Sequence, residues 1–236
     1  MEREWYGRQT WTEADQADFC TRLGRARQEN RPQYLRIQAG TLMASGNQCL
    51  SPAIALLDEV IEDHSLSLEV ATALAQKGAC LRRLGNIGGA ADAYAASVAR
   101  MRTVPKMQSQ DGWLGYGLLV ANERLSERYT DALEVLEEFS TSSPLMLPAD
   151  WVRVHASRAL IFAELRRDDE AAEEANAALS AMKQRNSGVA YHPSIGLVGD
   201  GDAHLRDRLV RIAGGSEQPS HGRIRELLGG LFKRKS

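Results

Sequence analysis

The chain has 236 residues, of which 43% are hydrophobic and 25% charged, and its formal net charge is −2. That length suits one large or two small globular domains, and the near-neutral balance excludes the basic excess of a dedicated nucleic-acid binder. No apolar run reaches the roughly 18 residues needed to span a membrane.

In chain order, the first expected element is a helix opened by Thr12-Glu13-Ala14-Asp15, where Thr12 and Asp15 suit a reciprocal capping box. Phe19, Leu23 and Ala26 fall on one face at helical spacing, and Arg31-Pro32 sets the end near Asn30. Trp5, Tyr6 and Trp11 precede this helix. They read as cover for the open end of a repeat stack, with a contact surface as the alternative.

Four helix–turn–helix copies follow. Ala39-Gly40-Thr41-Leu42-Met43-Ala44-Ser45-Gly46-Asn47 and Gly78-Ala79-Cys80-Leu81-Arg82-Arg83-Leu84-Gly85-Asn86 share a small residue, a leucine three on, and Gly-Asn at a constant offset. The first copy runs from about Gln33 to Asp63, its second helix starting near Pro52. The second spans about Ser67 to Arg102, with Gly85-Asn86-Ile87-Gly88-Gly89 expected as its turn. The third carries Trp113, Tyr116 and Val120, then Ala132, Leu136 and Phe139, and Pro144 and Pro148 break the chain after it. The fourth spans about Ala149 to Arg185, with Asp168 and Asp169 placed to cap its second helix. The equivalent alanines Ala53, Ala90, Ala132 and Ala171 are 37, 42 and 39 residues apart. The differences fall in turns, where loop length costs little. One such unit cannot bury its own apolar face, so neighbouring copies must stack.

Past Asn186-Ser187-Gly188, which is expected to end the last repeat helix, the segment Tyr191 to Val198 shows no helical pattern. Its Ile195, Leu197 and Val198 are expected to pack over the last repeat. Asp202 to Ile212 forms a helical pattern, Gly214 to Ser220 reads as a linker, and Ile224, Leu227, Leu228, Leu231 and Phe232 precede the basic Lys233-Arg234-Lys235. The expected organisation is 1–30 aromatic start and capping helix, 31–185 repeats, 186–213 cap loop and helix, and 214–236 linker and basic amphipathic tail. Contact of that tail with an anionic membrane is one reading; docking on a partner, or fraying, is the other.

The repeats resemble the tetratricopeptide family. Leu74, Gly78 and Leu81, then Ala90, Tyr94 and Ser97, match its small and aromatic positions in the second copy. The fourth copy keeps Ala159, Phe162, Ala171, Ala175 and Ala178, with Ala175 where the aromatic is expected. The third has Val120 in place of a small residue, and the usual period of 34 residues is shorter than the spacings here. The resemblance covers about Gln33 to Arg185. It implies an all-α right-handed superhelix of about four hairpins, with small residues letting helices approach and an aromatic filling the groove between hairpins. The first helices would then line a concave face and carry Gln33, Arg36, Arg82, Arg124 and Arg153 toward it. The second helices carry acids, among them Asp58, Glu59, Glu137 and Glu174. The family's terminal-carboxylate clamp does not carry over, because small and apolar residues hold most of those offsets.

Guanidinium forks suit carboxylates and phosphates, so one expected partner is a protein with an acidic segment; the bland alternative is that these charges are solvated or paired within the chain. Tyr191 and His192 are added to the candidate binding residues because an ordered non-helical stretch beside a repeat stack can fold into its groove. Enzyme chemistry finds no phosphate loop, dinucleotide fingerprint or nucleophile elbow. Gly112, Gly115 and Gly117 have the wrong spacing for the fingerprint, Asp200-Gly201-Asp202 lacks the other ligands of a calcium loop, and no histidine spacing suits a metal. Neither cofactor nor metal is expected. Cys20, Cys49 and Cys80 are too far apart for zinc or redox pairing and read as buried or half-buried thiols. With no secretory pattern at Met1 to Trp5, the expectation is a bacterial-type cytoplasmic protein-binding scaffold. The alternatives are an inhibitor or immunity-type protein, an enzyme acting on an anionic substrate, and a self-assembling protein.

Overall fold

A computed structural model describes residues 5–104, 109–143, 145–198 and 203–214, and among them the regular elements are helices without a strand. The Asp200-Gly201-Asp202 turn, the linker after Gly214 and the basic tail lie outside the described residues. The chain divides into two compact units, Met1–Leu145 and Met146–Ser236. This division falls inside the repeat segment rather than at either of its ends. No helix among the described residues is long and apolar enough to cross a membrane.

The first unit begins with helix α1 (Glu13–Arg25). Its capping box forms as expected: Thr12 Oγ1 accepts from the Asp15 N–H at 3.2 Å, and Asp15 Oδ2 accepts from the Thr12 N–H at 2.9 Å. These bonds hold the Asp15 carboxyl down at about 2, the Thr12 backbone N–H being the largest cause. The helix stops five residues short of Asn30, and a 3₁₀ turn, Gln28–Asn30, intervenes. Arg31 closes that end by donating to the Gly24 and Ala26 carbonyls, which satisfies acceptors that a helix terminus leaves open.

Three hairpins follow: α2 (Arg31–Ala44) with α3 (Leu50–Asp63), α4 (Val70–Arg83) with α5 (Ile87–Thr103), and α6 (Gln110–Asn122) with α7 (Tyr129–Ser142). The aromatic start covers the open face of the first. Tyr6 stacks on Tyr34 with ring centres 4.7 Å apart, Trp5 lies 5.0 Å from Tyr34, and Trp5 and Trp11 each lie 5.4 Å from Phe19. Gln38, fully buried, clamps this segment to α2: its Oε1 accepts from the Arg8 N–H at 2.9 Å and its Nε2 donates to the Arg8 carbonyl at 2.8 Å. A buried amide is tolerated there because both of its ends are satisfied.

The second and third hairpins meet around one ring. Tyr94 of α5 is wedged against Gly78 of α4 and Gly115 of α6; a Cβ added at Gly115 would sit 2.5 Å from the ring, and one at Gly78 3.0 Å from it. Gly112 gives the same relief to Ser97 and Met101, and Gly117 to Leu136. Ser97, also fully buried, donates to the Ala71 carbonyl at 2.6 Å and ties α5 to α4.

The turns carry a shared device. Gly85, Arg124 and Arg166 all have positive φ, at 81°, 54° and 59°. In each case the next N–H reaches back five residues: Asn86 to Leu81, Leu125 to Val120 and Arg167 to Phe162, at 2.9–3.1 Å. This is the left-handed helix end that glycine enters at least cost. The Gly-Asn signature of the second copy therefore closes a helix, and Asn86 then caps the next by accepting from the Gly89 N–H at 3.0 Å. Two expectations change as a result. Ile87-Gly88-Gly89 is the first turn of α5 rather than part of the loop. In the second unit, Arg167 takes the N-cap position, so Asp168 and Asp169 lie inside the first turn, where they favour the helix dipole without capping it.

That second unit packs α8 (Pro148–Glu164), α9 (Asp168–Met182) and α10 (Ala203–Gly214) on one another. Ala156 and Ala159 meet Ala175, Ala178 and Ala181, and Leu209 of α10 is fully buried against them. The last repeat helix ends at Met182, before Arg185. The cap over it comes from Val198 together with Leu205, Leu209 and Ile212 of α10, while Ile195 stays 47% exposed. The Gly196 carbonyl accepts from the Ala149 N–H at 2.8 Å, and that bond fastens the loop to the start of α8.

Gly115→Ala should destabilise the protein. The overpacking at Tyr94 costs about 1–3 kcal/mol and exceeds the gain of up to about 1 kcal/mol in helix propensity; urea unfolding measures the difference. Arg166→Gly should raise the melting temperature in a thermal scan, because it removes a left-handed penalty of about 1–2 kcal/mol against a smaller entropic loss.

Candidate functional site

The residues expected to form a basic concave face fall in both units and have different surroundings within them. Gln33 is exposed on α2. Arg36, one turn on, is half-buried, and its guanidinium is engaged by the Glu69 carboxylate. Arg82 is exposed on α4 and its guanidinium makes no polar contact among the described residues, whereas its neighbour Arg83 bonds the Met43 carbonyl at 2.6 Å and Asn47 Oδ1 at 2.7 Å. Arg124 is not on a helix face at all; it occupies the left-handed position beyond α6. The residues projected beside it, Leu114, Gly117 and Ala121, are buried. Arg153 is half-buried on α8 in the other unit. Tyr191, at φ 63° and 99% exposed, points into solvent, and its loop is bonded to itself through Ser187 Oγ donating to the His192 carbonyl at 2.7 Å. Tyr191 and His192 therefore do not fold into a groove.

Several acids of the second helices are paired within the chain. Asp58 meets Lys77 at 2.6 Å, Glu138 meets Arg102 at 2.8 Å, and Glu174 takes both His155 at 2.5 Å and Arg158 at 3.6 Å. The free cysteines are Cys20, Cys49 and Cys80. Cys20 is exposed, contrary to expectation, and burial pushes the Cys80 thiol up to about 11, which keeps it a thiol.

The first unit does have a concavity, at the C-terminal end of α3. It measures about 760 Å³ and is open-sided. Its walls come from the start of α2, including Pro32 and Gln33, and from the segment 63–69 that leads to α4. Leu66 and Leu68 at its rim are 91% and 57% exposed. A smaller hollow of about 400 Å³ adjoins it through Asp63 and His64 and reaches Leu23, Leu56 and Glu59. The lining is acidic. Glu59 and Asp63 are one turn apart on α3; burial, and then the Asp63 charge, raise the Glu59 carboxyl. The carbonyls of residues 60–63 accept no bond from any group outside the helix among the described residues. The end of α3 thus combines two carboxylates with an uncapped negative helix pole. Arg31, which lines the smaller hollow, has its guanidinium turned to the Gly24 and Ala26 carbonyls.

Sequence reasoning found Gln33 in this wall but missed the rest. Ser65-Leu66-Ser67-Leu68 carries no helical period, and its two exposed leucines were the available signal. A second cluster was also invisible. On α8 and α9, His155 is bonded to Glu174 and stacked on Trp151 with ring centres 5.4 Å apart. Its partner lies nineteen residues away in the chain, at no recognisable spacing. Among the described residues no group of three or more His, Cys, Asp or Glu is arranged to hold a metal ion.

One polar network bears on stability. Tyr116 of α6 donates to Asp131 Oδ2 at 2.6 Å, and Arg128, which donates to Asp92 at 2.7 Å, lies beside it. Burial, reinforced by the Asp131 bond, pushes the Tyr116 hydroxyl up to about 12.

No protein-family profile matches the chain, and no curated protein matches it. Among solved structures, it is similar to a thermophilic TPR protein from Thermus thermophilus. The identity is 18%, the match covers 84% of this chain and 97% of that one, and the TM-score is 0.46.

The Tyr116 contribution should be present in full below pH 10, the value of an unfolded tyrosine, and be lost as the pH rises from about 10 to about 12. Tyr116→Phe should be less stable than the wild type at pH 8 by about 1.5–3 kcal/mol, the range for a hydrogen bond to a charged group. The gap should close above pH 11, as read by urea unfolding at both pH values.

Proposed function

We propose that the chain is a non-catalytic protein-binding module that receives a polypeptide segment of a partner on its helical hairpins. The observation that carries this reading is the open-sided concavity at the end of α3, rimmed by Leu66 and Leu68. An accessible apolar rim beside charged walls suits an extended segment of another protein better than a small substrate, which is ordinarily enclosed on most sides. The helical hairpins supply a rigid support for such a surface. The polar side chains also fit this reading. The carboxylate-oriented imidazole of His155 resembles half of a catalytic pair, but its described polar contact is to Glu174 alone, with no hydroxyl or thiol in hydrogen-bond reach.

A scaffold and an inhibitor share this description and differ in affinity, since an inhibitor forms a stoichiometric complex that survives purification. The version with an acidic partner segment retains the exposed Arg82 but loses Arg36 to Glu69. Affinity purification of the full chain from its native host, followed by mass spectrometry and light scattering of the eluted complex, tests the proposal. A polypeptide enriched over an unrelated bait and bound at fixed stoichiometry is the expected result. Recovery of the chain alone, together with turnover of a small molecule that His155→Ala abolishes, would replace it with the enzyme reading.

A further inference from the structure

We propose that the end of α3 is a docking site for a basic, leucine-bearing peptide segment, with a lysine or arginine of the partner seated between Glu59 and Asp63 and its aliphatic side chains over Leu66 and Leu68. The proposal rests on the protein-binding reading and adds the chemistry of the partner, which is opposite in sign to the one expected from the repeat offsets.

Charge complementarity identifies the occupant. Glu59 and Asp63 are like charges at i and i+4 on one helix, an arrangement that is mildly destabilising by itself. They stand at the C-terminal pole of α3, where acids are unfavourable and cations favourable. The four carbonyls of residues 60–63 carry no cap from outside the helix among the described residues. Three separate features thus lack a paired lysine or arginine at one place among the described residues: a carboxylate pair, a helix pole and open carbonyl oxygens. Of the positive groups nearby, Arg31 is committed to the Gly24 and Ala26 carbonyls, Arg36 to Glu69 and Arg100 to the Ser65 carbonyl just beyond the helix, while the imidazole of His64 stands at the C-cap itself. Glu69 precedes the first residue of α4 and so answers that helix start and Arg36 together, whereas nothing comparable answers Asp63. The Glu59 carboxyl is raised by its burial first and by the Asp63 charge second, with the neighbouring His64 acting in the opposite direction.

An inorganic cation would meet the charge but not the apolar rim, and a lone hydrophobic segment would meet the rim but not the charge. A peptide that alternates the two satisfies both. The ammonium or guanidinium would take the two carboxylates and the helix carbonyls, and the leucines would cover Leu66 and Leu68, which the fold leaves outside its core.

The test is fluorescence anisotropy of the full chain with three fluorescein-labelled peptides of equal length: one alternating Lys and Leu, one with Glu in place of each Lys, and one with Ser in place of each Leu. The Lys/Leu peptide is expected to bind at least about tenfold more tightly than either of the others, and to weaken as salt is raised from about 50 to about 500 mM. Glu59→Gln with Asp63→Asn should lower its affinity about tenfold, and Leu66→Ser with Leu68→Ser should do the same. The first pair removes like-charge repulsion at an unfavourable helix pole, so the variant should melt no lower than the wild type, and loss of binding cannot be assigned to unfolding. Asp169→Asn with Glu173→Gln, which removes two acids at the same spacing from the exposed face of α9, should leave binding unchanged. Equal binding of the Lys/Leu and Glu/Leu peptides, no binding of either, wild-type affinity in the Glu59/Asp63 variant, or equal loss in the α9 control would each overturn the proposal. If the peptides fail while a partner is still captured from the host, this site is wrong and the protein-binding reading stands. If no partner is captured at all, the broader reading falls.

Discussion

The first unit is organised by the contact between a tyrosine ring and two helices that have no side chain in its way. Tyr94 occupies space that Cβ atoms on Gly78 and Gly115 would invade. Closely packed interiors tolerate neither the extra carbon nor the void left by a missing ring. This one ring therefore sets how near α4 and α6 come to α5. Gly112 and Gly117 extend the rule along α6, where Ser97, Met101 and Leu136 fill the places that other side chains would have taken. Such glycines weaken an isolated helix, so α6 depends on its neighbours for stability. The buried Ser97–Ala71 bond adds direction to a contact that packing alone would leave free to slide.

The ends of the helices follow a second rule that is easy to mistake for chemistry. Gly85, Arg124 and Arg166 stand in the same left-handed position in three successive hairpins, and the same backward hydrogen bond closes each. Only the first has the residue type that the position prefers. Arginines at the other two keep the geometry at some cost in backbone strain, and the Arg124 side chain leaves the helix face on which projection by repeat offset placed it. The basic concave face expected from the sequence depended on that projection. Once Arg124 leaves the helix and Arg36 turns to Glu69, the acidic end of α3 becomes the more distinctive surface of the first unit.

The N-terminal aromatics illustrate how packing and polarity cooperate. Trp5, Tyr6 and Trp11 were legible as cover for an open repeat face, and they serve as that cover. Tyr34 and Gln38, which receive them, were not legible. Tyr34 lies outside the repeat signature, and a glutamine in a helix ordinarily reads as a solvent-facing residue. The Arg8 backbone makes Gln38 a core residue by supplying both a donor and an acceptor, and Arg8 itself is held by the Asp15 and Asp18 carboxylates.

Periodicity, small residues and capping chemistry are local properties, and the sequence by itself determined what depends on them. These are the helical hairpins in order, the Thr12–Asp15 cap, the break before α2, the ring at Tyr94 and the helix near its end at 203–214. The tertiary structure decided everything that depends on residues distant in the chain. It made Gly112, Gly115 and Gly117 sockets, where the sequence had shown only a failed nucleotide motif, and it paired His155 with Glu174. It also placed 63–69 against the start of α2, so that Leu66 and Leu68 line one hollow, Glu59 lines the hollow beside it, and Asp63 belongs to both. The physical reason is the range of the interactions involved. Backbone propensity and capping act within about one helical turn, whereas burial, ion pairing and the walls of a cavity are set by whichever residues the fold brings into contact.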